Sequence, residues 1–257
     1  IDLGVKALLY VELRCRKAKR DLHSSFAPIV ENPAWRLVWA LSTMKSPDDK
    51  ILIKGWYDDV EPFTASQSKL MGKIPFRSEA LLKEFGQKRF FKADTGKEAL
   101  RRYLMEPTCT ICGFQTGYTG PGSKTVLPGS AMLKIDFRLV YDQNPRKQLR
   151  LLKEHLHAHG FDDVQVKPLG LLEPSRTKPS APIARAAAKA AKTVYGTEPV
   201  IFPRNAASGP DYVFTKRLGL DSIWTGGAPA FARAHAPNEF TTLDNFHAGI
   251  RYMTAII

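Results

Sequence analysis

The sequence predicts an α/β protein. Its first 175 or so residues read as an α+β unit: an antiparallel sheet with two helices on one face, in split βαβ order. Three observations carry this. Strand-like and helix-like periods alternate as strand, helix, insertion, strand, strand, helix, strand. Two Asn-Pro pairs, Asn32-Pro33 and Asn144-Pro145, each open an apolar helical run, Asn as cap and Pro at the first helical position. The Pro/Ser-rich stretch "EPSRTKPSAP" then acts as a hinge, and composition changes after it. The expected regions are therefore 1–175 and 176–257.

The elements follow in order. "VKALLYVELRCR" is rich in β-formers with partial alternation, a strand. "DLHSSFAPIVENP" is a loop into the first helix, "PAWRLVWALSTM", with an expected apolar stripe of Trp35, Val38, Trp39 and Leu41. "KSPDDK" is a turn, and "ILIKGWYDDV" reads as a strand plus loop. Residues 64–106 are mostly helical, with "SEALLKEFG" and "GKEALRRYLM" the clear pieces. The strands "CGFQTGY" and "SAMLKIDFRLVY" flank a Gly/Pro-rich turn region, and "PRKQLRLLKEHLHAH" is a helix closed by Gly160. "VQVKPLGLL" is the next strand. Beyond the hinge come the Ala-rich helix "APIARAAAKAAKTVY", ended by Gly196, two short strands in long loops, and a last helix, "LDNFHAGIRYMTAII". That is thin for an independent core.

Composition narrows the function. The chain has 257 residues, 44% hydrophobic and 25% charged, ordinary for a globular protein. No run of about 18 apolar residues exists to cross a membrane. The first stretch lacks a small-residue cleavage site, and the first residue is Ile, so the chain is expected to begin inside a longer reading frame. Three cysteines, an odd and sparse set, argue against a disulfide scaffold and for a reducing, cytoplasmic setting. Cys109 and Cys112 form a C-x-x-C, but no second pair or nearby His completes a zinc site. The net charge of +13 is spread along the chain, which favours a solvated basic surface over a nucleic-acid groove.

Three places invite chemistry. His155, His157 and His159 occupy the last turn of a helix, where the helix dipole favours positive charge, and no acid stands at a zincin spacing. His235, in "HAPNE", sits in a loop after a Gly-Gly pair, where α/β proteins place working residues, but one His cannot hold a catalytic metal alone. Arg204 precedes the small residues Ala206, Ala207, Ser208 and Gly209; such a loop lets a ligand approach backbone N–H groups while Arg clamps a carboxylate, or it is simply a tight turn.

Several segments together, "DLHSS", "ENPAWRLVWAL", "GWYDDV", "PGSKTVLPGSAMLKIDFRLVYDQNP", "PRNAASGPD" and "HAPNE", stand in an order that resembles one family. It is the zinc metallopeptidase family of aminoacylases, carnosinase-like dipeptidases, succinyl-diaminopimelate desuccinylases and glutamate carboxypeptidases, with the dipeptidase-like branch nearest. The resemblance implies a catalytic α/β domain with two zinc ions (Mn or Co as substitutes) and an inserted lid, or dimerisation, domain. Residues 1–175 then correspond to the lid, and 176–257 to the C-terminal part of the catalytic domain. It implies that His235 is a zinc ligand. His23 corresponds to a lid histidine that reaches a partner subunit's active site and stabilises the oxyanion. Arg138 corresponds to a lid arginine for the substrate carboxylate, and Arg204 with Ser208 and Gly209 to a loop holding the substrate's end. The implied substrate is a dipeptide or N-acyl amino acid, and the implied assembly a homodimer through the lid.

One departure is large. The family's upstream His-x-Asp and its Glu-Glu pair occur nowhere in this sequence. The expectation is therefore a chain without the N-terminal catalytic half, inactive alone. The rival is a non-catalytic dimerisation module derived from the lid.

Overall fold

The structure, a computed structural model, describes residues 1–226, 228, 232–233 and 236–257. In chain order the elements are β1 (Ala7–Arg16), β2 (Leu22–His23), α1 (Pro33–Met44), α2 (Ala65–Met71), α3 (Ser78–Glu84), α4 (Gly96–Met105), β3 (Thr110–Thr116), β4 (Val126–Leu127), β5 (Ser130–Leu139), α5 (Pro145–Ala158), β6 (Gln165–Leu172), α6 (Pro182–Tyr195) and α7 (Leu243–Ile256). They fall into two compact units, one of residues 7–61 and 107–174, the other of residues 1–6, 62–106 and 175–257.

The first unit is an antiparallel four-stranded sheet in the order β3-β5-β1-β6. β1 is central, pairing Ala7 with Leu139 through Arg16 with Ser130 on one side and Leu8 with Leu172 on the other. Alternation decides the faces. Ala7, Leu9, Val11, Leu13 and Cys15 of β1 point the same way as Ala131, Leu133, Ile135, Phe137 and Leu139 of β5, and all are buried. Leu37, Ala40 and Met44 of α1 and Leu152 and Leu156 of α5 join that core, so both helices cover one face. Asn32 and Asn144 cap α1 and α5 as expected, each side chain accepting from the N–H two residues on at 2.8 Å. This is the split βαβ arrangement.

Two local expectations change. The buried stripe of α1 is Pro33, Leu37, Ala40 and Met44, while Trp35, Val38 and Trp39 are exposed. Both sets recur at three- and four-residue spacing, so periodicity could not choose between them; the smaller side chains are the ones that fit against the sheet. "ILIKGWYDDV" is not a strand. Ile51 makes an isolated bridge to Lys45, and the chain then turns at Gly55, whose φ of +76° is left-handed.

In the second unit, α6 packs on α7 through Ala187, Ala190, Ala191 and Tyr252. Extended chain at Asp2 and Val5 bridges Phe202 and Asn205 in parallel, and Asp2 also meets Trp224. These are isolated bridges rather than the two short strands expected. The helices of 62–106 also differ from a single boundary near 175. Met71, Leu100 and Leu104 form a core with Phe202 and Ala206, so this insertion clusters with the C-terminal residues. The buried Lys6 side chain ties it down, its Nζ donating at 2.7 Å to the carbonyls of Tyr103 and Glu106 where α4 ends.

Candidate functional site

His23 stands where β2 pairs with β4, opposite Val126. The approach is fixed by Gly129. Its carbonyl accepts from the N–H groups of Lys17 and Ala18, its N–H donates to Asp21 Oδ1 at 2.9 Å, and a Cβ there would lie 2.7 Å from the Arg20 carbonyl oxygen. The His23 ring is exposed. Its Nδ1 accepts from the Ser25 backbone N–H at 3.2 Å and lies 2.8 Å from Ser25 Oγ. A backbone N–H can only donate, so Nδ1 carries the lone pair and the neutral ring carries its proton on Nε2. That leaves Nε2–H as an outward-facing donor.

Arg138 lies near the far end of β5, opposite Leu8 of β1 and on the face without helices. Its guanidinium is held side-on by Asp136, with Nε to Oδ1 at 3.1 Å and Nη2 to Oδ2 at 3.0 Å. Positions two apart on a strand share a face, which is why the pair forms. Beyond Ser130, beside the β2–β4 pair, β5 runs on for roughly 27 Å before Arg138. Within one chain, His23 and Arg138 therefore do not converge.

Arg204, Ser208 and Gly209 belong to the second unit. Asn205 organises this loop: its N–H donates to the Gly4 carbonyl at 2.7 Å, its Nδ2 to Asp2 at 2.9 Å, and its Oδ1 accepts from the Ala207 N–H at 2.8 Å. Arg204 is buried and lines a cleft of about 600 Å³ with Phe76, Leu100, Tyr103, Phe202 and Asp2. Burial pushes the Asp2 carboxyl above its usual range, the Asn205 bond partly offsetting this. Ser208 is half-buried. Gly209 admits no side chain, since a Cβ there would sit 2.2 Å from the Trp224 ring. His235 lies outside the described residues.

Sequence reasoning missed three supporting residues. Ser25 and Asp136 orient His23 and Arg138; for Asp136 the i, i+2 spacing was the available signal. Asp211 is buried, accepting from Ser222 Oγ through Oδ1 while Oδ2 has no hydrogen-bond partner among the described residues. It closes the segment "PRNAASGPD", where the residue pattern assigned it no role.

The remaining polar clusters are structural. Burial, then His159, lowers the His155 pKa, and His155 Nε2 meets Thr43 Oγ1 at 3.0 Å. Cys109 is buried and Cys112 exposed, and both are free thiols. Among the described residues no three His, Cys, Asp or Glu side chains come together to hold a metal ion.

The four-stranded antiparallel sheet of the first unit thus carries two helices on one face and Arg138 on the other, while His23 lies on the separate two-stranded sheet. A family model, described as the peptidase dimerisation domain, matches residues 4–164. The chain belongs to the M20 metallopeptidase family. It is similar to the Cys-Gly metallodipeptidase of Candida albicans, 28% identical over 98% of this chain and 53% of that protein. The Beta-Ala-His dipeptidase of Rattus norvegicus is 30% identical over 74% of this chain and 39% of its own length. An M20 family metallo-carboxypeptidase from Sulfolobus solfataricus superposes with a TM-score of 0.94 at 38% identity, covering 99% of this chain and 58% of that one. The dipeptidase Dug1p of Saccharomyces cerevisiae gives 0.89 at 26% identity, covering 99% and 54%. The chain thus spans about half the length of the curated relatives it matches over its whole extent.

Proposed function

We propose that this chain is the lid and C-terminal catalytic segment of a metal-dependent amidohydrolase that cleaves dipeptides or N-acyl amino acids, acting in the cytoplasm. One observation carries the reading: the similarity to named metallodipeptidases runs through nearly the whole chain, beyond the dimerisation domain. In this reading two zinc ions, or Mn or Co in their place, supply a metal-activated water when bound. His235 is the ligand this reading assigns within the chain, with the family's upstream His-x-Asp and Glu-Glu residues as its expected partners.

The roles of the chain's own residues follow from their chemistry. The Nε2–H of His23 donates to the oxyanion of the tetrahedral intermediate. Arg138, braced by Asp136, pairs with the substrate carboxylate and orients the scissile amide. Arg204, with Ser208 and Gly209, holds the substrate's end. The separation of His23 from Arg138 supports a site completed by a second subunit. The exposed Trp35, Val38 and Trp39 of α1, beside the edge strand β3, are the surface proposed for that homodimer.

The test is metal content and turnover of dipeptides by the metal-repleted chain, with and without the residues that precede it in its gene. Tight binding of two zinc ions, or robust turnover, by the 257 residues alone would sink the divided-site reading. In the longer protein, His235→Ala should lose one zinc, and His23→Ala should lower kcat with metal content unchanged. A second reading, a dimerisation module without catalysis, draws on the dimerisation-domain match over residues 4–164. Failure of the longer protein to bind metal would favour it.

A further inference from the structure

From the last two residues of α3 toward α4 the chain reads "KEFGQKRFFK". Residues 83–92 hold four cations, Lys83, Lys88, Arg89 and Lys92, against one acid, Glu84. Phe85 is 58% and Phe91 66% exposed. Phe90 is half-buried, its ring 5.7 Å from that of Phe76. Positive φ angles at Gly86 (+64°) and Lys92 (+53°) reverse the chain at either end. Phe85, Arg89, Phe91 and Lys92 share a cleft of about 570 Å³, and Lys92 Nζ lies 6.0 Å over the Phe91 ring. Lys83, Lys88 and Arg89 are exposed and make no ion pair among the described residues.

This patch differs from a surface awaiting more of the same fold. Such a surface exists on α7, where Leu243, Phe246, Ile250 and Met253 form an exposed stripe with no cation among its own positions. Burying the cations of 83–92 against apolar polypeptide would strand their charge. A surface that is both anionic and apolar within a few ångströms of depth satisfies rings and cations together. A lipid headgroup layer has that profile.

We propose that the 83–92 turn docks on an anionic phospholipid surface, with Phe85 and Phe91 entering the headgroup–acyl boundary and Lys83, Lys88 and Arg89 meeting lipid phosphates. Single-stranded nucleic acid fits less well. It stacks successive bases on successive rings, and here the middle ring, Phe90, is spent on Phe76.

The experiment is co-sedimentation of the full chain with phosphatidylcholine vesicles, with and without phosphatidylserine, beside titration with an oligothymidylate. Binding is expected only with phosphatidylserine, and it should weaken as salt rises. The double variant Phe85→Ser/Phe91→Ser should bind about tenfold more weakly. Lys88→Ala/Arg89→Ala should lose about fivefold per charge. The remote Lys192→Ala should bind as the parent does, and circular dichroism checks that each variant is folded. No phosphatidylserine-dependent binding, equal losses in Lys192→Ala, or tighter binding to the oligonucleotide than to vesicles would each overturn the proposal. It stands or falls independently of amide hydrolysis.

Discussion

Asp163→Asn should destabilise the sheet unit by about 1–2 kcal/mol at neutral pH. Asp163 follows α5 and draws together the end of β1 and the start of α1. Arg36 donates to it from Nε at 3.0 and 3.1 Å and from Nη2 at 2.7 Å. Lys17 Nζ lies 2.7 Å away, and Cys15 Sγ donates at 3.5 Å. Charge-assisted hydrogen bonds of this kind contribute about 1.5–3 kcal/mol when shielded. Asp163 keeps 30% of its side chain in solvent, and Glu31 remains near both cations, so the lower figure applies. The Arg36 bonds, then Lys17, hold the carboxyl well below the usual carboxylate range. A depressed pKa means the stabilisation is fully present above the ordinary value of 3.8 and is lost as pH falls from there toward the folded value. The difference between the parent and Asp163→Asn should therefore be flat at neutral pH and shrink below it. Denaturant unfolding followed by tryptophan fluorescence, to which the buried Trp56 of this unit contributes, repeated across pH, measures this. Lys192→Ala, which breaks an exposed pair with Glu198, is the control. A loss no larger than the control's, or one undiminished below about pH 3, would refute the network's role.

Three further outcomes are expected. Gly209→Ala should destabilise the second unit by about 1–3 kcal/mol, because its Cβ must displace the Trp224 ring; an unchanged melting temperature would count against that packing. Cys112 should react with a thiol reagent well before Cys109, whose pKa burial pushes up to about 12; equal rates under native conditions would show the strand opening. Trp35→Ser with Trp39→Ser should shift sedimentation toward monomer while changing monomer stability by about 0.5 kcal/mol or less, whereas Leu37→Ala should cost about 2–4 kcal/mol. The reverse pattern would mean that the core face of α1 is misassigned.

Where the sequence was legible, local chemistry and tertiary packing agreed. Asn-Pro openings fixed the starts of α1 and α5, and alternation in "ALLYVELRC" and "AMLKIDFRL" set the buried face of the sheet. The sequence was misleading where a second solution satisfied the same local rule. α1 carries two apolar stripes, and large aromatic side chains suggested the wrong one because hydrophobicity reports burial against anything, including another subunit. The insertion 62–106 was legible as helices but not as part of the C-terminal cluster, since that depends on Leu100 and Leu104 meeting Phe202 a hundred residues away.

The site shows the same division more sharply. Arg138 is reached from the sequence only through the family resemblance, yet what orients its guanidinium is Asp136, and what directs His23 is a backbone N–H that no side-chain pattern reveals. A carboxylate bracing Arg138 costs some of its attraction for an anion, because the pair is partly neutralised before a ligand arrives. In the carboxylate-binding role proposed for Arg138, the guanidinium edge not engaged by Asp136 would act by geometry more than by net charge. In a site of that kind, orientation limits binding, so Arg138→Lys, which keeps the charge and loses the planar fork, should behave almost as badly as removal.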